Sequence, residues 1–303
     1  MKKWLPLMVG AGVLMGASAY WWHTRPYNAA QLMQCLPAER SLHVYLDVGM
    51  LRAGGILDLV AGAKGTEDAD YKKFVEESGF DYRSDMDAVA AGFRDGDQYF
   101  AVKGRFHWDK LANYARNHGG RCQDLFCSMA ASDPSRTISF TLLRADVLAL
   151  AVARDPRAVD LISPGEWKTP PTISAVALWI DAPPFVFSDP AILPTGTRSF
   201  LSPLAQARGT IFTLGPTADR KAFQLMMDVD SATPEDAAKL AGQLASTTDL
   251  LKKMLERDNK KPSSSDLSGV LVAGRFEAQQ SRVTGTWAIE RSFLESLVSG
   301  KVE

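Results

Sequence analysis

The stretch Ser41-Leu42-His43-Val44-Tyr45-Leu46-Asp47-Val48 decides the fold. Leu42, Val44, Leu46 and Val48 alternate with His43, Tyr45 and Asp47, a period of two that predicts a strand. On this reading His43 lies on the polar face. A second strand is predicted over residues 173–180. It closes on the same apolar-Asp step, Ile180-Asp181 against Leu46-Asp47 in the first.

The order of elements after each opening strand is similar. After the first come helical patterns over 50–61 and 70–78, strands over 88–93 and 98–106, and a helix over 108–117. Strands over 137–143 and 147–153 and a short helix over 156–162 come next. Asp95-Gly96 marks the first hairpin. After the second opening strand come a helix over 200–207, strands over 209–214 and 222–229, and a long helix over 234–257. That helix has Thr233 as N-cap, Pro234 at its first position and Asp236 three residues after the cap. Strands over 269–276 and 282–289 and a helix over 293–298 complete the series.

The predicted fold class is therefore α+β. Two similar lobes are expected, each a mainly antiparallel sheet covered by helices on one side, in the order β-α-ββα-ββα. Residues 36–164 form the first lobe and 173–298 the second. Pro164-Gly165 and Pro170-Pro171 mark the boundary. Order and spacing, rather than shared motifs, suggest an internal duplication.

Residues 1–35 read differently. From Trp4 to Trp22 there are 19 residues without a charge, after Lys2 and Lys3. Such a run reaches about 28 Å as a helix, close to a bilayer's hydrocarbon core. Trp4 at one end and Tyr20, Trp21 and Trp22 at the other fit interfacial belts. The run predicts a transmembrane signal anchor with a cytoplasmic N-terminus, leading into a connector. Ala17-Ser18-Ala19 also fits a signal-peptidase site, so cleavage stays open. The expected location is the inner membrane, single-pass, with the folded part in the periplasm or outside the cell.

Composition limits the function. Across 303 residues, 34 Lys and Arg balance 35 Asp and Glu, for a net charge of −1. No basic excess supports nucleic-acid binding, so no nucleic acid is expected as a partner. At 46% hydrophobic and 23% charged the chain can bury a core. A mean hydropathy of −0.10 excludes a polytopic membrane protein.

An exported chain meets an oxidising compartment. Cys122 and Cys127, with four residues between them, then suit a local disulfide. No second cysteine or histidine pair completes a metal site, and no cofactor is expected. Cys35 is left over.

Chemistry-bearing patterns are sparse. Gly-x-Ser-x-Gly, Ser-x-x-Lys, Walker, His-Glu-x-x-His and EF-hand patterns do not occur. Asp47 and Asp181 are the candidate catalytic carboxylates, because a pseudo-two-fold arrangement of the halves would bring equivalent strand ends together. Each also reads as a local cap. Arg105 in Gly104-Arg105-Phe106 and Arg275 in Gly274-Arg275-Phe276 are candidate anion contacts. Glycine there equally permits close backbone packing. Phe185 and Phe187, in the apolar and proline-rich residues 182–194, are candidate docking residues for a partner or the membrane, or belong to a loop packed on the sheet.

Residues 36–48, from Leu36-Pro37-Ala38 into the opening strand, resemble the start of exported domains in uncharacterised bacterial envelope proteins. Gly104-Arg105-Phe106 leading into Trp108 is similar to a step in such proteins. The resemblance implies an N-terminal anchor and an exported α+β domain, and it brings no functional residue with it. The expected function is a membrane-anchored extracytoplasmic binding or assembly protein. The alternative is a cell-envelope hydrolase using carboxylates in a cleft between the lobes.

Overall fold

In the computed structural model, residues 27–57, 69–165, 167, 169–188, 197–217 and 222–298 are described. The first half supplies α1 (Ala29–Met33), β1 (Leu42–Asp47), α2 (Val48–Ala53), α3 (Ala69–Ser78), α4 (Tyr82–Asp85), β2 (Met86–Arg94), β3 (Asp97–Gly104) and α5 (Trp108–Asn117). It continues through β4 (Arg121–Gln123), β5 (Phe126–Ala130), β6 (Thr137–Arg144) and β7 (Val147–Ala153). The second half supplies β8 (Leu178–Ala182), α6 (Phe185–Ser188), α7 (Arg198–Leu201), β9 (Gly209–Pro216), β10 (Phe223–Asp230) and α8 (Pro234–Arg257). It ends with α9 (Leu267–Val272), β11 (Arg275–Gln279), β12 (Arg282–Ile289) and α10 (Arg291–Val298).

The twelve strands among the described residues lie in one sheet, ordered β11-β12-β10-β9-β8-β1-β2-β3-β7-β6-β5-β4. Every neighbouring pair is antiparallel. The fold is thus α+β, built on a large antiparallel sheet with helices. The two stretches do not carry separate sheets. β1 and β8 pair directly, with Tyr45 opposite Trp179.

The even-numbered residues of β1 face the helical layer. There α5 and α3 cover the first half over Val102, Phe140 and Leu148. The helix α8, with α7, α9 and α10, covers the second over Met227, Val229 and Trp287. The odd-numbered residues face a second core of Tyr45, Trp179 and a run of alanines, including Ala88, Ala90, Ala101, Ala149 and Ala151. Small side chains let the 27–36 segment and Val159 and Ile162 pack close to the strands. The first half is therefore covered on both faces, not on one as expected from sequence.

The position of His43 differs from the expected one. It is 2% exposed, in the more buried row of β1, while Leu42, Val44 and Leu46 are only partly buried. A period of two identifies a strand, but it names the buried face only when the other face meets water.

Local signals explain most elements. Thr233 Oγ1 accepts from Asp236 N at 3.1 Å and starts α8. Asp95 and Gly96 both take positive φ in the β2–β3 turn, as a tight primed hairpin requires. Other elements depart from expectation. Residues 267–272 form α9 rather than the start of a strand, because Asp266 Oδ1 caps Gly269 N at 2.7 Å. The second opening strand begins at Leu178, not at 173. The short helix expected over 156–162 is a 3₁₀ turn at Ala158–Leu161. Part of the expected connector folds as α1, with Asn28 and Gln31 forming a reciprocal capping box. Among the described residues, no helix is long and apolar enough to cross a membrane. The expected anchor, Trp4 to Trp22, lies outside the described residues.

Candidate functional site

The seam between β1 and β8 gathers most of the polar chemistry. His43 stands directly opposite Asp181. Its Nε2 lies 2.9 Å from the Pro37 carbonyl oxygen, which can only accept, so Nε2 carries the proton. The imidazole meets the edge of Trp167, with ring centroids 4.6 Å apart. Burial pulls the His43 pKa below its ordinary value, against the opposing pull of the Pro37 carbonyl and Asp181. Burial also raises the Asp181 carboxyl, and His43 only partly offsets this.

Asp47 has another role. Its Oδ1 accepts from Met50 N at 2.7 Å and caps α2. The Tyr45 hydroxyl neighbours the same carboxylate, and burial together with that charge raises the Tyr45 pKa. Asp47 and Asp181 do not converge. Asp181 pairs with His43, and Asp47 lies four residues further along β1 beside Ala177. At a rise of about 3.3 Å per residue they stand about 13 Å apart. That is too far for two carboxylates flanking one bond.

Asp47 instead lines a polar cavity of about 500 Å³, with Tyr27, Tyr45, Asp87 and Lys103. Lys103 Nζ donates to the Tyr27 carbonyl at 2.9 Å, and Arg52 sits 3.9 Å from Asp87. Both carboxylates and the ammonium thus have partners within the wall. The cavity can accept a small polar ligand by exchanging these contacts. Sequence reading missed Tyr45, Asp87 and Lys103, because only the strand order brings β1, β2 and β3 beside residues 27–32. Among the described residues, no group of three His, Cys, Asp or Glu side chains could hold a metal ion.

The remaining candidates scatter. Arg105 comes just after the end of β3 and pairs with Asp85 at 3.0 Å. Its neighbour Gly104 faces backbone: a Cβ there would lie 2.2 Å from the Asp85 carbonyl oxygen. Arg275 opens the edge strand β11, at the far side of the second half. The two arginines share no site. Phe187 is buried near Phe212, whereas Phe185 is half exposed on the same short helix. Residues 189–196 of the proline-rich stretch lie outside the described residues.

Cys122 and Cys127 form a disulfide across the β4–β5 hairpin, where they are directly opposite. It ties the first-half edge of the sheet. Cys35 is a free, buried thiol, and burial raises its pKa to about 11.

No protein-family model matches the chain, and no curated protein sequence matches it. Among solved structures, crystal form I of TP0453 is similar over 92% of this chain and 100% of that one, with 10% identity and a TM-score of 0.48. Crystal form III of TP0453 is similar over 91% and 99%, with 10% identity and a TM-score of 0.46.

Proposed function

We propose that this chain is a binding or assembly protein of the cell envelope, anchored by residues 4–22 and folded outside the cytoplasm. The Cys122–Cys127 disulfide carries the reading, because such a bond persists in an oxidising compartment. The position of Tyr27 adds support. Its ring lies under the Arg144 guanidinium at 4.9 Å and its carbonyl accepts from Lys103. Tyr27 thus belongs to the folded body, with only four residues between it and Trp22. A tether of that length spans at most about 18 Å, which would hold the polar cavity close to a membrane surface.

We read the two halves as a duplication. The β1-β2-β3-β7-β6 run corresponds to β8-β9-β10-β12-β11, with the β4–β5 hairpin added in the first half. The pairs Val44–Ile180 and Leu46–Leu178 exchange under a two-fold axis through Tyr45 and Trp179.

Two measurements test this reading. Thiol alkylation in intact cells should find Cys122 and Cys127 oxidised. Alkaline extraction should leave the full chain in the membrane pellet. Reduced thiols with a soluble chain would overturn it.

A further inference from the structure

The proposed function leaves an apolar cavity of the first half unused. It lies between the sheet and the helices α5 and α3, and holds about 300 Å³. Val102, Phe140, Leu148 and Leu150 form its floor, and Leu111 and Phe74 its roof. Every lining residue is aliphatic, aromatic or methionine, and Tyr114 alone carries a hydroxyl. Water placed there would find almost no hydrogen-bond partner, so the space suits hydrocarbon.

The second half shows what a filled version looks like. Leu150 is opposite Phe100 in β3, and Trp287 is opposite Leu225 in the corresponding strand β10. Trp287 therefore stands where Leu150 stands. Its indole is accommodated by Gly274, where a Cβ would lie 2.6 Å from the indole nitrogen. In the first half Leu150 instead faces Phe140. By the same register Met227 takes the place of Val102. With Trp287 and Met227 in these places and Gly274 where the first half has Phe140, the second-half cavity holds about 180 Å³.

Charged side chains lie near this cavity on two sides: Glu77 and Asp70 act on the hydroxyl of the lining Tyr114, and Lys110 lies by the Gly79–Phe80 step. Lys110, beside the lining residue Leu111, lies across Gly79, beside the lining residue Phe80. A Cβ on Gly79 would lie 3.0 Å from its Nζ. An apolar cavity with the Lys110 ammonium beside the neighbouring Gly79 suits an amphiphile with one hydrocarbon tail and an anionic head held at that lysine.

We propose that the first-half cavity is a binding site for a single acyl chain, with its carboxylate or phosphate end at Lys110. This deepens the binding reading above, on which it rests, and it names the ligand class. The shared chemistry is the chain itself, supplied as a free fatty acid or by a phospholipid.

The test uses the full chain in its membrane, or in whichever fraction retains it. A photoactivatable alkynyl fatty acid is added, crosslinked and mapped by peptide. Label is expected on peptides containing Phe74, Leu111 or Leu148. Leu150→Trp puts an indole beside Phe140, where the second half has Gly274, removes room for at least two methylenes and should cut labelling about tenfold. Val102→Met is the gentler filling and should cut it less. Retention of the disulfide and protease resistance report folding for both. Competition by unlabelled fatty acid, or only by lysophospholipid, identifies the source, and either result supports the site. Absence of label from these peptides, or equal labelling in folded variants, overturns the proposal. A labelled chain found in the soluble fraction sinks the anchor reading alone. An unlabelled chain that is membrane-bound and oxidised sinks the acyl site alone.

Discussion

Tyr45 faces Trp179 across the β1–β8 ladder, and both are almost fully buried, at 6% and 3% exposure. This ladder is the only strand pairing between the halves among the described residues. Integrity of the twelve-stranded sheet therefore rests on a short seam, and this aromatic pair packs its middle against the alanine-lined core.

Trp179→Ala removes a large buried side chain at the seam. The expected cost is about 3–5 kcal/mol. Chemical denaturation should show this as a lower midpoint. A broadened or biphasic transition would show that the two halves then unfold separately. Trp179→Phe, which keeps a ring, should cost markedly less and remain a single transition.

The His43–Asp181 pair makes stability depend on pH in two windows. The folded His43 pKa is depressed, so its contribution is present above the ordinary imidazole value and is lost as pH falls through the folded value. The folded Asp181 pKa is raised, so the stabilising form is the protonated one. Its contribution is present below the ordinary carboxyl value and is lost as pH rises through the folded value. Facing His43 are the Pro37 carbonyl, Asp181 from β8, the Trp167 ring and Gly92 of β2. Asp181→Asn should raise the melting temperature at neutral pH, with the gain fading in acid. His43→Gln retains a donor for Pro37 and should flatten the acid-side loss. Melting curves from about pH 4 to 8 check both, and unchanged pH profiles in the two variants would refute the assignment.

Much of this architecture is legible in the sequence, and the rest is missing for identifiable reasons. Period-two runs and turn chemistry identify ten of the twelve strands, with bounds that are off by several residues in places. The β4–β5 hairpin escapes because Arg121–Gln123 is too short to show a period. α9 escapes because Leu267, Val270 and Leu271 fit a helix or a buried strand alike, and only the Asp266 cap decides. Asp47 and Asp181 stand out because their strand ends match. Register places them about 13 Å apart, and register is not written in local sequence. Lys103 and Asp87 cannot be linked to Tyr27 without the strand order.

The disulfide offers a separate test of the edge. Cys122→Ser/Cys127→Ser opens a very short loop, which by chain entropy should cost about 2 kcal/mol. The seam and the second half lie far from this hairpin in the strand order. Hydrogen exchange should therefore speed up in β4 and β5 and leave β8–β12 protected. Equal loosening of both halves would contradict this local role.

Two glycines separate a required absence of a side chain from a merely tolerated one. At Gly104 an added methyl would meet the Asp85 carbonyl, and the neighbouring Arg105 N donates to that same oxygen at 2.8 Å. Backbone cannot yield there without breaking that bond, so Gly104→Ala should destabilise the protein by about 1–3 kcal/mol. Gly242 lies mid-way along α8, exposed, with no atom within 4 Å of an added Cβ. Gly242→Ala relieves the backbone entropy cost of glycine in a helix and should stabilise by about 0.5–1 kcal/mol. Thermal melts of the two variants should move in opposite directions. If Gly104→Ala melts like the wild type, the close approach of α4 to β3 does not hold, and the motif around Arg105 regains its claim to a ligand.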